Sequence, residues 1–299
     1  MGQHKNYPHL IWRPVFDIAV SYLVIGLAIF LTFQSYYFYP FALLIIANRI
    51  LTLSLISHEA LHGTLFKNKF LNNFVGRWFC AFPTFISLTK YRKLHLLHHR
   101  SIAHEVADPD YHLYSGYPLQ TKISFIFKGF WRILSLQTSW KFIQYYTEIP
   151  NFLNAKEGFW KKLEKNKLSG DFREFLLFYI VLFSLLFYFG IYHYYILFFT
   201  IPLLFITQPY VLLMGGLQHG PIQNAKTPEL LSRSIRGPKI LMELLLPLNI
   251  NYHAEHHLDS TVPHYWLKTF AKDLEGKGNF VWKSSYREAV EHLFSKKSI

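Results

Sequence analysis

The sequence predicts an all-α integral membrane protein in which four transmembrane helices form two hairpins beneath a helical cap. Hydrophobic residues make up 51% of the chain, charged residues only 16%, and the apolar residues are gathered into long runs. A helix needs about 20 consecutive apolar residues to cross the bilayer core, and four runs are close to that length. No internal repeat or low-complexity segment is present, so residues 1–299 are expected to form one domain.

The four apolar runs define the expected spans and leave two stretches for the cap. The spans are predicted at about residues 14–33, 38–57, 175–192 and 195–214. Residues 34–37 and the region around His193 are the turns of the two hairpins. The cap then comprises residues 58–174 and 215–299.

Two segments of the cap are themselves apolar. Residues 70–88 contain Arg77, Cys80 and Pro83, so we expect a bent or re-entrant helix there and not a fifth span. Residues 122–146 mix aromatic and aliphatic side chains with basic ones, which is typical of an amphipathic helix in the membrane interface.

The distribution of basic residues predicts the orientation. Of 31 Lys and Arg, only Arg49 lies inside a predicted span, and neither hairpin turn contains one. Lys5 and Arg13 precede the first span, and all the others lie in the cap. By the positive-inside rule, both termini and the cap face the cytoplasm, giving a multi-pass protein of the membrane.

Half of the 16 histidines are grouped in three short segments. Spacings of three and four residues place side chains on one face of a helix, so each segment can direct several imidazoles to a common point. A single metal ion cannot use eight imidazoles, whereas two ions with three to five ligands each can. The eight residues are His58 and His62, then His95, His98 and His99, then His253, His256 and His257.

These segments resemble a known family. The sequences HEALHG (58–63), YRKLHLLHHR (91–100) and NYHAEHHL (251–258) are similar to the three histidine boxes of integral-membrane fatty acid desaturases and the related hydroxylases and ketolases. The resemblance runs from the first box to about Leu267. It includes Asp108-Pro109-Asp110 after the second box and Val262-Pro263 after the third.

The resemblance implies a cone of four transmembrane helices under a cytoplasmic cap that holds a histidine-ligated di-iron centre, with O₂ as co-substrate. It also implies a ninth ligand late in the fourth span, at the position of His219. In the acyl-CoA desaturases an asparagine stands four residues earlier, where this chain has Gly215. Histidine ligands usually donate their second N–H to a carboxylate or carbonyl, and the nearest carboxylates are Glu59, Asp108, Asp110 and Glu255.

The activity that the resemblance implies is O₂-dependent oxidation of a lipid C–H bond. Desaturation of a fatty acyl chain is the favoured interpretation. Hydroxylation or ketolation of a lipid or carotenoid, and decarboxylation of a fatty acid to a terminal alkene, are the alternatives. Cys80 is the only cysteine, and the chain has no glycine-rich dinucleotide fingerprint. Electrons are therefore expected from a separate donor such as ferredoxin, rubredoxin or cytochrome b5 with its reductase.

Other classes of protein explain fewer of these features. The first box also matches the zinc-protease pattern His-Glu-x-x-His, with Glu59 as general base, but a protease would leave the other boxes and His219 unused. A metal transporter would place its ligands along the spans. The net charge of +13 is spread over membrane-proximal segments that match no nucleic-acid recognition motif, so no nucleic-acid partner is expected.

Overall fold

The computed structural model describes residues 7–111, 122–150, 170–220, 231–278 and 281–294, and these are mostly helical. Short 3₁₀ turns lie at Tyr36–Phe38 and His264–Trp266. The described helices and strands are α1 (Trp12–Gln34), α2 (Tyr39–His62), α3 (Lys69–Val75), α4 (Leu88–Ser101), α5 (Lys122–Leu134), α6 (Gln137–Tyr146), α7 (Phe172–Tyr188), α8 (Tyr192–His219), β1 (Ser234–Arg236), α9 (Lys239–Leu245), α10 (His253–Leu258), α11 (Leu267–Gly276), β2 (Lys283–Ser285) and α12 (Tyr286–Leu293).

Three helical segments in the described part of the chain are long and apolar enough to cross a membrane. They are Trp12–Gln34, Tyr36–His62 and Tyr192–His219. Helix α7 is apolar but has 17 residues, which at 1.5 Å per residue is about 26 Å against a bilayer core of about 30 Å. It lies where the third of the four spans was predicted.

Helix α2 is the central packing element. Ile46, Ile50, Leu53 and Ile56 follow the helical repeat, are fully buried, and face α1, the segment after α3, and α8. The helix also continues beyond the predicted span, so the first histidine box forms its last turns and not a separate part of the cap. It ends at Gly63, whose φ of 78° is the left-handed conformation that favours glycine at a helix C-terminus.

The apolar segment that we expected to be bent is an irregular helix. Helix α3 continues as a π-helical turn over Gly76–Ala81, so the whole helix has 13 residues from Lys69 to Ala81. That corresponds to about 20 Å, which is too short to cross a bilayer. The chain then turns through Phe85, which has a positive φ, and enters α4.

The predicted amphipathic segment at 122–146 consists of two helices. The break falls at Leu136, whose φ is 56°. Large apolar side chains of α5, among them Ile126, Phe127 and Trp131, are more than 60% exposed. This pattern is typical of a helix whose apolar face lies in a lipid interface.

Helix α8 is wound irregularly in its first half. Two π-helical segments, Ile196–Thr200 and Leu203–Thr207, precede a regular α-helix that begins at Gln208. A π-helical turn shifts the hydrogen-bond ladder by one residue, so some carbonyls need other partners. One of them, the Leu204 carbonyl, accepts from the Ser139 hydroxyl at 3.4 Å. The Thr207 hydroxyl of the second π-helical segment donates to the Ala47 carbonyl of α2 at 3.1 Å and so joins α8 to α2.

A small parallel sheet departs from the all-α prediction. Strands β1 and β2 have three residues each, with Ser234 paired to Lys283 and Arg236 to Ser285. Three residues are too few to give an alternating hydrophobic pattern, which is why the sequence did not predict them. The sheet joins the chain before α9 to the segment that leads into α12.

The contact of Gly76 with α2 yields a prediction about stability. A Cβ atom on Gly76 would lie 2.3 Å from the Cβ of Ala60, which is fixed to the backbone and cannot rotate away. We expect Gly76→Ala to lower the free energy of unfolding by about 1–3 kcal/mol, because the two helices must separate. Denaturant unfolding in detergent measures this. Gly26→Ala, which meets no atom within 4 Å, is the control, and equal stability of the two variants would contradict the proposed close contact.

Candidate metal centre

Four helices bring their ends to one place. The first box lies on the last turns of α2, the second on the C-terminal half of α4, the third on α10, and His219 is the last residue of α8. All nine histidines predicted as ligands meet there and form two groups. Each group contains histidines from both the second and the third box.

Five imidazoles form the first group, called here the five-histidine group. Within it, His58 Nε2 lies 2.8 Å from His95 Nε2, and His99 Nε2 lies 2.9 Å from the same atom. His256 Nε2 lies 3.2 Å from His99 Nε2. One nitrogen of each residue falls within 4.8 Å of all the others. The members are His58, His62, His95, His99 and His256.

Four imidazoles form the second group, called here the four-histidine group. His253 Nε2 lies 2.8 Å from His219 Nε2 and 3.0 Å from His257 Nε2. His98 completes the group, with its ring centroid 4.7 Å from that of His219. The two members of each pair spaced by four residues therefore lie in the same group. His98 lies in the other group from its helical neighbours His95 and His99. Likewise, His256 lies in the other group from His253 and His257.

The spacing of the nitrogens fits a metal in each group. Metal–imidazole bonds of about 2.1 Å place adjacent ligands of an octahedral ion about 3.0 Å apart. The closest nitrogens lie 2.8 to 3.2 Å apart. His62 Nε2 is buried among these rings and has no hydrogen-bond partner in the described part of the chain, as expected of a lone pair directed at an ion.

The charge state of the cap histidines also suits metal binding. Burial, and next the repulsion between neighbouring imidazoles, lowers the pKa of several of them, in the case of His99 to about 2. These residues are therefore neutral at pH 7, and a neutral imidazole is the form that binds a metal. Burial and neighbouring imidazoles also lower the pKa of His95, His253, His256 and His257.

In two of the histidines, a hydrogen bond from Nδ1 fixes the orientation of the imidazole ring. The Nδ1–H of His98 donates to Asp108 at 2.8 Å, and Asp110 lies 3.7 Å from the same nitrogen. Burial opposes the charged form of His98, but the hydrogen bond to Asp108 and the charge of Asp110 raise its pKa. The Nδ1–H of His219 donates to the Leu231 carbonyl at 3.3 Å. In both rings Nε2 is left for the four-histidine group.

The carboxylate of Glu59 has partners other than the box histidines that we expected. It accepts hydrogen bonds from the Thr64 hydroxyl at 2.9 Å and from the backbone N–H of His264 at 3.0 Å. The ring of His264 lies between two carboxylates, with Nε2 donating to Asp17 at 3.0 Å and Nδ1 3.4 Å from Glu59. Arg13 donates to the other side of Asp17. The first box is therefore tied both to α1 and to the chain after the third box.

Glu255 is likewise used to hold its own box. Its carboxylate accepts hydrogen bonds from Ser234 and Arg236 of β1, and the Ser234 hydroxyl also accepts the N–H of Ala254 at 3.2 Å. The Arg236 guanidinium lies 4.0 Å from the centre of the Tyr252 ring. The small sheet thus anchors α10, and the contribution of Glu255 is to position the third box.

Three residues that were not predicted as site residues hold the first two boxes in place, and one of them, Arg92, lies within the second box. Arg92 donates to the carbonyls of Ala60 and Leu61, and Asn72 also donates to Ala60. Asp171 accepts from the Ser87 hydroxyl and the Thr89 N–H at the beginning of α4. Polar residues in turns and at helix ends are too common for their long-range partners to be predicted from one sequence.

A cavity lies directly beside both histidine groups. Its empty space is about 560 Å³, counting the part that is open to solvent. Five of the histidines line it, namely His58, His95, His98, His219 and His253. The rest of the lining consists of aromatic and apolar residues, Gly215, and the polar residues Asp110 and Gln218. These lining residues include Leu55, Tyr91, Tyr146, Val211, Met214 and Ile250.

Fold and centre together define a helical protein with apolar helices long enough to cross a membrane and a histidine cluster suited to metal ions. The chain belongs to the fatty acid desaturase family, whose model matches residues 8–281. It is also similar to the dihydrorhizobitoxine desaturase of Bradyrhizobium elkanii, with 28% identity over 257 residues, covering 84% of this chain and 71% of that protein. The family predicted from the histidine boxes is thereby confirmed.

The buried position of His264 yields a prediction about pH. Burial opposes its charge, but the hydrogen bonds with Asp17 and Glu59 raise its pKa to about 9. A pKa raised above the unfolded value of about 6.5 contributes stability that is complete below pH 6.5 and is lost as the pH rises through 9. Between pH 7 and pH 10 we expect the wild type to lose on the order of 2–3 kcal/mol more stability than His264→Gln.

Unfolding followed across this pH range in detergent measures the difference. Lysine and tyrosine titrations are common to both proteins and cancel in the comparison. His104→Gln, a change at an exposed histidine, should follow the wild type. Parallel pH curves for wild type and His264→Gln would show that His264 is not held as an imidazolium.

Proposed function

We propose that the protein is an O₂-dependent di-iron oxidoreductase of the membrane that introduces a double bond into a fatty acyl chain. One iron ion would be held by the five-histidine group and the other by the four-histidine group. The observation that carries this proposal is the meeting of nine imidazoles from four separate segments at two adjoining points beside a cavity. Desaturation is favoured over oxygen insertion because the named relative is a desaturase.

Bound iron would supply the reactivity with O₂ that no side chain of this sequence has. The chain's own residues hold the ions, orient the substrate and exclude water. Asp108 fixes the ring of His98, and the Leu231 carbonyl fixes that of His219. The apolar wall of the cavity, which includes Tyr146 and Met214, would hold an alkyl chain against the histidines.

The position of Glu59 argues against a zinc protease. A general base of that class must face the metal-bound water, whereas this carboxylate is buried and bonded to Thr64 and His264. Ligands gathered at helix ends also differ from the arrangement expected of a transporter. The reducing electrons would come from a separate donor such as ferredoxin, rubredoxin or cytochrome b5 with its reductase.

We further propose that residues 1–299 form one domain with four spans, α1, α2, α7 and α8, and with both termini and the cap in the cytoplasm. The scarcity of Lys and Arg in the two hairpin turns supports this orientation. The shorter α7 packs its aromatic residues on Phe82 and Phe85 of the segment after α3, which supports a span inserted beside that segment.

The metal content of the protein and the lipid product of the reaction test this function directly. We expect the purified protein to contain about two iron ions per chain and its expression in cells to yield a lipid with one added double bond. His98→Ala removes a ligand from the four-histidine group and His256→Ala one from the five-histidine group. Each should lower iron affinity by more than the roughly 10- to 100-fold that loss of a residue supporting a ligand costs, with loss of turnover. Elemental analysis and mass spectrometry of cell lipids provide the readouts.

His193→Ala, at the predicted outer turn, is the control and should keep iron and activity. One zinc ion per chain, or full iron in both ligand variants, would refute the di-iron assignment. An added hydroxyl or keto group, or a terminal alkene, would replace desaturation by the corresponding alternative.

Topology can be tested by labelling with a membrane-impermeant thiol reagent in intact cells. In a Cys80→Ser background, single cysteines at Ser35 and Tyr194 should react, because the four-span arrangement places both hairpin turns outside. Cysteines at Lys69 and Lys283 should react only after the membrane is opened. Labelling of position 283 in intact cells would contradict the proposed arrangement.

A further inference from the structure

A second cavity, between α6 and α8, adjoins the one at the metal centre. Its empty space is about 350 Å³, counting the part that is open to solvent, and Tyr146 and Val211 line both cavities. Along α8, Gln208 and Leu212 line the second cavity, and Gly215 and His219 line the first. These positions follow the helical repeat, so a single face of α8 forms the wall of both.

The second cavity contains polar groups that an alkyl chain would not need. Gln208 is 3% exposed and lies within an apolar membrane-spanning helix, yet its amide makes no hydrogen bond with any described residue. The Thr138 hydroxyl, on a residue 6% exposed, is also buried without a partner in the described ranges. Polar side chains buried in the protein are costly unless they bind something, which makes these two candidates for a binding site.

Lys141 brings a positive charge to the second cavity. It lines the same cavity one helical turn after Thr138, it is exposed at the opening, and no carboxylate among the described residues pairs with it. The neighbouring Trp140 is also exposed. Tryptophan and lysine side by side on an amphipathic helix are typical of the headgroup level of a membrane. The three groups are an ammonium, an amide and a hydroxyl, all able to donate hydrogen bonds.

We infer that this cavity is the subsite for the anionic end of the substrate, a carboxylate or phosphate bound by Lys141, Gln208 and Thr138. The alkyl chain then passes Tyr146 and Val211 to reach the histidine groups. This inference rests on the proposed function for the part played by the metal centre. It assigns the substrate class as an unesterified long-chain acid, or a lipid whose phosphate occupies the same place.

The geometry of α8 also sets the position of the reacting carbon. Gln208 and His219 are the two ends of a regular α-helix of 12 residues, so they are roughly 16 Å apart along its axis. An extended chain advances about 3.5 Å for every three bonds. The anionic group and the oxidised carbon are therefore separated by roughly ten to fourteen bonds, which a chain of eight carbons does not span.

Binding measurements on protein in nanodiscs test the inference without turnover. Tryptophan fluorescence or thermal shift would compare palmitate with methyl palmitate, with octanoate, and with palmitoyl lysophosphatidate. We expect palmitate to bind about 10-fold more tightly than its methyl ester, because a charged hydrogen bond is lost in the ester. Octanoate should stabilise the protein less than palmitate. Tighter binding of lysophosphatidate through the same residues would identify a lipid phosphate as the anion.

Three variants locate the preference. Lys141→Met and Gln208→Leu keep side-chain size and should each abolish the 10-fold preference, and Thr138→Val should reduce it. Lys128→Met removes a basic residue of α5 that lines neither cavity, so it controls for general attraction of anions to a basic surface and should keep the preference. Iron content, measured in every variant, reports whether the centre is intact.

The outcomes separate this inference from the proposed function. Equal binding of acid and ester by the wild type, or a preference that survives both Lys141→Met and Gln208→Leu, overturns the subsite even if iron and desaturation are present. A preference that depends on Lys141 in protein that binds no iron upholds the subsite and refutes the di-iron function.

Discussion

The convergence of nine imidazoles on two points is the constraint on which the rest of the structure depends. Neutral rings whose nitrogens lie about 3 Å apart gain little from one another, and each buried nitrogen without a partner carries a desolvation cost. The histidines therefore have to be held from outside their own cluster. Polar contacts in the cap meet this requirement. Arg92 joins the second box to the first, and Glu59 joins the first box to the chain after the third.

The two box glutamates show how this is done. Glu59 and Glu255 lie next to ligand positions, but each carboxylate is turned away from the centre toward a distant segment. Glu59 reaches the chain after the third box and, through His264, helix α1; Glu255 reaches β1. Breaking either link would leave a buried charge without a partner, which costs more than a lost surface ion pair. The position of each box thus depends on residues far from it in sequence.

The sequence predicted the parts of the molecule that repeat and missed those that do not. Histidines at spacings of three and four identify the faces of α2, α4 and α10, and long apolar runs identify α1, α2 and α8. The contact between Asp17 and His264 joins residues 247 positions apart and has no periodic signal. Asp108 was predicted as a partner of a box histidine and contacts His98, whereas Glu59, chosen by the same rule, does not. Proximity in sequence cannot tell which way a carboxylate points.

The same reasoning bears on what decides the reaction. In the proposed function, a metal centre held this rigidly would oxidise whichever C–H bond is presented to it, so selectivity would have to come from how the chain is placed. The wall formed by α8 runs from Gln208 to His219 without a break, because the π-helical turns end before Gln208. The regular helix over that stretch has a fixed length, and His219 at one end of it belongs to the four-histidine group. Any group that held a substrate at the other end would therefore determine which carbon lies beside the histidines.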